Sequence, residues 1–464
     1  MNVSGLFSAV ATDPGVANAL TEARSGLASA ELTCAPAARQ VLLATMSRQI
    51  GRQMLVVTST FREAEQLTAV LETLLDPHQV AFYPAWETLP HERLSPRSDT
   101  VGRRLEVLRR LAGYGELPAP EIIVAPVRSV LQPQVAGLAE LPVVHLVRGQ
   151  EYPVAKLTTD LVAAAYQRVD LVERRGEFAV RGGIVDIFPP TCPHPVRVDF
   201  FGDEIDTITW FQVSDQRSTD QTIDAVDASP CRELLITDRV AERAAALVQD
   251  HPELAEMLEK IANRQGVEGM EALIPALVDH LELLVDVLSD DAMIVVNDPE
   301  LVRARAEDLV RTSQEFLGAG WAAAASGGSA PIDLDASAYW ELGEVRSRAL
   351  DRGLQWWSLS SFGMDDQQPM DIEEIAALAS SVPTRRLALT DAPNWHGDVE
   401  GFVSRISSDL AEGLRVLLSV EGSGPASRMA DLLGEHDVPA RIVTEVTEIS
   451  DDPVVQIFRS GMRQ

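Results

Sequence analysis

From Gly176 to Ile208 the chain reads GEFAVRGGIVDIFPP and, after a short proline-rich gap, RVDFFGDEIDTI, in which large apolar residues recur two apart at Phe178 and Val180 and at Val196, Val198 and Phe200. That period belongs to a β-strand, whose successive side chains point to opposite faces, and not to a helix. Phe178 and Val180 face one way, Gly182-Gly183 supplies a tight turn, and Val196, Val198 and Phe200 repeat the alternation. The segment therefore reads as an antiparallel meander. Phe200 and Phe201 cannot both enter one core, and Phe201 shares its face with Arg197 and Asp199. Either a second layer covers that face or a partner does.

The flanking sequence has a different period. Leu55-Val56-Val57 followed by FREAEQLTAVLETLL predicts a strand entering an amphipathic helix, and Ile122-Ile123-Val124 predicts another buried strand. A new unit begins near Glu140 with LPVVHLVRGQEY and leads into the meander, and an alternating α/β pattern returns after about Ser218. From Ala292, AMIVVNDPELVRARAEDLVRTSQEFL gives a buried strand, a turn at Asp298-Pro299 and a helix. AAAASGGSAPID, residues 322–333, has the composition of a linker. GLQWWSLSSF and an acidic stretch holding Asp365, Asp366, Asp371, Glu373 and Glu374 then lead to a boundary near residue 363. Beyond it LRVLLSVEGSGPASRMADLLGEHDVPARIV predicts a small α/β unit.

The expected fold class is therefore α/β and multidomain. A parallel-sheet domain is interrupted by a small inserted domain carrying the meander, and a further small α/β domain follows. The boundaries predicted are 1–136, 137–217, 218–362 and 363–464. At 464 residues and 46% hydrophobic the chain can bury cores of this size. It carries no leader-like amino terminus and no apolar run long enough to span a bilayer, so a cytoplasmic location is expected. Cys34, Cys192 and Cys231 are scattered and odd in number, as idle or buried thiols are.

A formal charge of −31 opposes nonspecific binding to DNA, whose phosphates require concentrated Lys and Arg. One run is locally basic: Arg93, Arg97, Arg103, Arg104, Arg109 and Arg110, beside Tyr83 and Trp86. It reads as a solvated helix face balanced by Glu92, Asp99 and Glu106, with DNA contact as the alternative. The only two lysines, Lys156 and Lys260, precede Leu157 and Ile261, so no phosphate-binding loop of the kind ending in Lys-Ser or Lys-Thr exists. Gly202-Asp203-Glu204 reads as a hairpin turn, and the glycines near Ser423 as turns. Cys192 and His194 are too sparse for a zinc site, and Asp290-Asp291, Asp365-Asp366 and Asp451-Asp452 read as solvated acids. No catalytic residue, cofactor site or metal site is assigned.

Taken with the meander, three further strings fall in order: YPAWETLPHERLSPRSDTVGRRLEVLRRL at Tyr83–Leu111, DQRS at Asp215–Ser218 and GVEGMEAL at Gly266–Leu273. Together they resemble the amino-terminal, UvrB-like region of the bacterial transcription-repair coupling factors (the Mfd family), well between about residues 30 and 315 and weakly beyond. The resemblance implies a degenerate RecA/helicase-like domain in which Thr33-Cys34-Ala35-Pro36-Ala37-Ala38-Arg39 stands where a phosphate loop would be. It implies an inserted domain that binds the excision-repair protein UvrA through Arg181, Arg197 and Phe201, in a non-catalytic adaptor that links stalled RNA polymerase to nucleotide excision repair. RNA polymerase and DNA would be bound by domains of the full-length factor beyond this segment, and a lid domain would cover the UvrA surface. The residues themselves leave an alternative, in which both arginines pair internally with Asp186, Asp199 or Asp203 and Phe201 is core. Rival functions are a UvrB-like DNA-remodelling ATPase, which needs the missing lysine, and a structural spacer. An aromatic lesion-clamping hairpin is not expected, because Pro90–Ile122 contains only Tyr114.

Overall fold

The computed structural model describes residues 3–90, 92–325, 339–361, 382–448 and 452–460. The acidic stretch at 365–374, the boundary near residue 363, most of the linker at 322–333 and Asp451 lie outside the described residues. Its centre is a seven-stranded parallel sheet in the order Thr384–Arg386, Ser29–Thr33, Gln355–Ser360, Met293–Asn297, Met54–Thr58, Ile122–Pro126, Val80–Phe82. The runs MLVVT, IIVAP and MIVVN are buried at every position, as strands covered by helices on both faces must be.

Alternation divides these strands between two cores. Met54, Val56, Ile122, Val124 and Trp357 pack on one face with the helices Ser4–Ala11, Pro14–Arg24, Arg39–Ile50 and Phe61–Leu74. Leu55, Val57, Ile123, Ala125 and Trp356 pack on the other with Ser98–Leu111, Val127–Leu131 and Leu342–Asp351. Trp357 is wholly buried and its indole N–H donates to the Leu27 carbonyl at 2.9 Å, so no polar group is stranded. The Phe61–Leu74 helix starts where Thr60 accepts from the Glu63 amide and Glu63 accepts from the Ser59 amide.

The meander forms a second sheet of six strands, ordered Ser218–Thr222, Glu204–Phe211, Val196–Phe201, Ile184–Ile187, Glu177–Arg181, Gln167–Arg168. Its pairs are antiparallel except the last. One face holds Phe178, Val185, Ile187, Val196, Val198, Ile205 and Ile208 against the helix Val154–Ala163 and a ribbon of Val144–Val147 with Ala225–Ala228. The other carries a smaller cluster of Val172, Ala179, Phe188 and Phe211. The return to the parallel sheet comes only at Met293. Before it, the helices Asp238–Leu247 and Ala255–Ala262 close a small lobe around Trp86. Near the carboxy terminus a three-stranded parallel sheet, Leu417–Glu421, Val455–Ser460 and Ala440–Val443 with Val455–Ser460 central, packs with the helices Val399–Ala411 and Ser423–Glu435. The Gly5 amide donates to the Val446 carbonyl at 2.8 Å and so ties the first helix to this unit.

Candidate protein-binding surface

The helix Ser98–Leu111 joins the meander unit to the parallel sheet. Gly102 lies so close to Pro190 that a Cβ there would stand 2.4 Å from the proline's Cβ, and the Ser98 hydroxyl donates to the Arg175 carbonyl at 2.9 Å. Two turns along, Arg104 is completely buried. Its Nε meets Glu233 Oε1 at 2.5 Å, Nη1 donates to the Pro84 carbonyl at 3.0 Å, and the guanidinium lies 4.4 Å from the Tyr83 ring centre. Glu233 is equally buried and also accepts from the Trp86 indole at 3.0 Å. Burial opposes the charge on Arg104, and the Glu233 carboxylate more than offsets it, so the group titrates above the usual arginine range.

The solvated-face reading of the basic run is thus corrected at two positions. Arg97 is exposed and pairs with Asp99, and Arg103 is exposed, but Arg104 is interior and Arg110 is buried, donating to the Pro118 and His78 carbonyls. Arg109 donates to the carbonyls of Ala139 and Leu141 at 3.1 and 3.2 Å. Three of these arginines therefore act as struts between chain segments, which takes the donors so engaged out of reach of a nucleic acid.

The GVEGMEAL string meets the same join. Gly269 has φ +76°, and a Cβ there would lie 2.5 Å from Arg93 backbone atoms. Its amide donates to the Ser95 hydroxyl at 2.9 Å, which donates in turn to Glu271 at 2.6 Å. Gly269→Ala is expected to cost about 2 kcal/mol of stability, because a left-handed conformation and a backbone clash add. A urea midpoint unchanged from the parent would contradict this.

The three residues assigned to partner binding lie on the meander, and the structure brings them to one face. Arg197 stands opposite Asp186, which stands opposite Ala179, and Arg181 is two residues beyond Ala179 on the same side. The turn at Gly182, φ +63°, and the turn at Gly202, φ +68°, lie at the same end of the sheet, joined where the Phe200 amide donates to the Gly183 carbonyl at 2.8 Å. Phe201 closes the strand at that end and is 83% exposed. It is not core. Arg181 is half-exposed, whereas Arg197 is mostly buried and held by Asp186 through two hydrogen bonds of 2.7 and 2.9 Å. That bonding raises the Arg197 pKa. The internal-pairing alternative therefore describes Arg197, describes Arg181 as a longer ion pair of 3.6 Å with the same Asp186, and fails for Phe201. The DQRS string, which the sequence left without a role, supports Arg197 from the side: Ser218 Oγ accepts from its Nη1 at 3.2 Å.

A second place where the fold could hold a ligand is the carboxyl edge of the parallel sheet. Arg39, at the start of the helix Arg39–Ile50, is buried there. Its Nη2 donates to Asp298 Oδ1 at 2.8 Å and to Ser361, and its Nη1 to Asn297 at 3.2 Å. Asn297 donates to Glu63 at 2.7 Å. The cation at the start of this helix is committed to a protein carboxylate. Burial pushes the adjacent Cys34 thiol up to about 11, which removes a nucleophile from this edge. Among the described residues no cluster of His, Cys, Asp and Glu could hold a metal, and no helix is long and apolar enough to cross a membrane.

Residues 144–233 match the family model of the UvrB interaction domain. The match opens on the Val144–Val147 strand and ends at Glu233, the partner of Arg104. Along its length the chain is 42% identical over 437 residues to the transcription-repair-coupling factor of Mycobacterium tuberculosis, covering 90% of this chain and 34% of that protein. The Bacillus subtilis factor is 28% identical over 300 residues, covering 60% of this chain, and the Escherichia coli factor 32% over 215 residues, covering 46%. This chain spans about a third of the length of the Mycobacterium tuberculosis factor. It carries a UvrB interaction domain and is homologous, over nearly its whole length, to part of the transcription-repair-coupling factors.

Proposed function

We propose that this chain is a docking module for UvrA, an adaptor with no catalytic step of its own, and that the exposed end of the meander is its binding surface. The observation that carries the reading is the 83% exposure of Phe201 beside the half-exposed Arg181, inside the segment that matches the UvrB interaction domain. An aromatic ring and a guanidinium presented by rigid strands are the residue types in which interface energy concentrates. The closed Arg39–Asp298 pair supports the non-catalytic part of the reading, since a nucleotide phosphate would have to displace a protein carboxylate there. In the whole protein, RNA polymerase and DNA would be engaged by other regions, a further domain would cover the Phe201 face until docking, and the assembly would work in the cytoplasm.

Calorimetric titration of the 464-residue chain with purified UvrA tests this. Saturable binding with no ATP turnover by the chain alone is expected. ATP hydrolysis would favour the remodelling-ATPase reading, and the absence of any heat of binding would favour a spacer.

A further inference from the structure

A parallel sheet needs cover on both faces, and the carboxy-terminal unit supplies its own cover for one. Its helices Val399–Ala411 and Ser423–Glu435 pack with Leu418, Val420, Ala440, Val455 and Ile457. Register puts Phe458 on the opposite face, paired with Val443. Phe458 is nevertheless buried, and with Val443 and Val446 it joins the core cluster that holds Val3 and Phe7. Val3 caps the first helix, Ser4–Ala11, and Phe7 lies within it. That helix also packs on Pro14–Arg24 and Arg39–Ile50 of the parallel-sheet domain, so it stands between two bodies. Its sequence, SGLFSAVA, has no charged residue, and at eight residues it is too short to persist as a helix alone in water.

The helix meets the carboxy-terminal unit backbone to backbone. Beside the Gly5–Val446 hydrogen bond, a Cβ on Gly5 would stand 2.8 Å from Glu448 Cα. The covalent route between the bodies is looser. After the edge strand Thr384–Arg386 the chain is pinned where the Ala35 amide donates to the Leu389 carbonyl and the Ala37 amide to Asp391, both at 3.1 Å. Residues 392–398 then form no helix or strand and are almost wholly exposed. We propose that the first helix is a clasp. Closed, it makes the carboxy-terminal unit one body with the parallel-sheet domain. Open, the unit swings on residues 392–398 and bares the strip of Val443, Val446 and Phe458, while the released helix melts. The meander takes no part, so the device does not depend on the docking reading.

Amide hydrogen exchange of the 464-residue chain, read by mass spectrometry beside small-angle X-ray scattering, tests the clasp. In the parent, the amides of Ser4–Ala11 should exchange faster than those of the strands Met54–Thr58 and Met293–Asn297, because opening is local. Gly5→Ala is the informative variant. Alanine is the better helix former, so any loss comes from the crossing and not from the helix. Exchange in Ser4–Ala11 should rise about tenfold or more, since an overpacked contact favours the open state. The central strand Val455–Ser460, bare on one face, should follow, and the radius of gyration should grow while Met54–Thr58 keeps its parental rate. Ser8→Ala, at an exposed position on the same helix, is the control and should change none of these. Phe7→Leu, which keeps an apolar group at the contact, is the milder variant should Gly5→Ala fail to fold, and should show a smaller rise in the same segments. The proposal is overturned if Ser4–Ala11 exchanges in the parent as slowly as Met54–Thr58, for the helix is then a permanent part of the core. It is equally overturned if Gly5→Ala exchanges and scatters as the parent does, or if it speeds exchange in Met54–Thr58 as much as in Ser4–Ala11.

Discussion

Arg104→Met is expected to destabilise the chain by about 3–5 kcal/mol, the cost of leaving one member of a buried ion pair alone. Glu233 would keep only the Trp86 indole as a donor to Oε1, and its second oxygen already lacks a hydrogen-bond partner. An ionised carboxylate so placed has no water to fall back on. Methionine fills much of the space of the arginine stem, which separates the lost charge from a lost volume. Removing Glu233 as well, in Arg104→Met with Glu233→Leu, should recover a large part of the loss, because an apolar pair strands no charge. Urea unfolding monitored at constant slope gives both numbers. A single-variant loss below about 1 kcal/mol, the range of a surface pair, would show that water reaches Glu233 and that the two segments are not locked together here.

The strands Met54–Thr58, Ile122–Pro126 and Met293–Asn297 were legible because their apolar runs were nearly uninterrupted, and the meander because large apolar residues alternate at Phe178 and Val180 and again at Val196, Val198 and Phe200. The exposure of Phe201 follows from the same parity, given that Phe200 faces the core cluster. Arg104 was misread although a signal was present. It falls in the stripe Val101, Arg104, Leu105, Leu108, spaced i, i+3, i+4, i+7 along the helix, while Arg103 falls off it and Arg97 precedes the helix as its N-cap. An arginine on an apolar stripe demands a buried anion, yet sequence cannot say that the anion is Glu233, 129 residues away. The internal bond of Arg197 was open to view only as one of three candidate acids. Strand register chose Asp186, since pairing places it directly opposite. The helical lobe at Asp238–Ala262 escaped because its helices are short and its apolar face closes on Trp86, far back in the sequence.

Phe201→Ala should separate binding from folding more sharply than any other single change. With 83% of the residue already in water, truncation removes almost no packing, so the urea midpoint should move by less than about 0.5 kcal/mol in equivalent stability. Covering the ring on docking recovers about 1.5–3 kcal/mol of transfer free energy, and an aromatic anchor in a partner pocket reaches about 2–4 kcal/mol. UvrA affinity is therefore expected to fall ~30-fold or more, chiefly through faster dissociation. Leu301, 58% exposed on a helix of the parallel-sheet domain, is the matched control, and Leu301→Ala should leave affinity as it was. Equal losses at both positions would mean that any exposed apolar group feeds the interaction, as in nonspecific association. A loss confined to Phe201 ties the partner to one end of one sheet. The glycine turns at 182 and 202 hold Arg181 and the ring at that end before the partner arrives, so little ordering entropy is left to oppose docking.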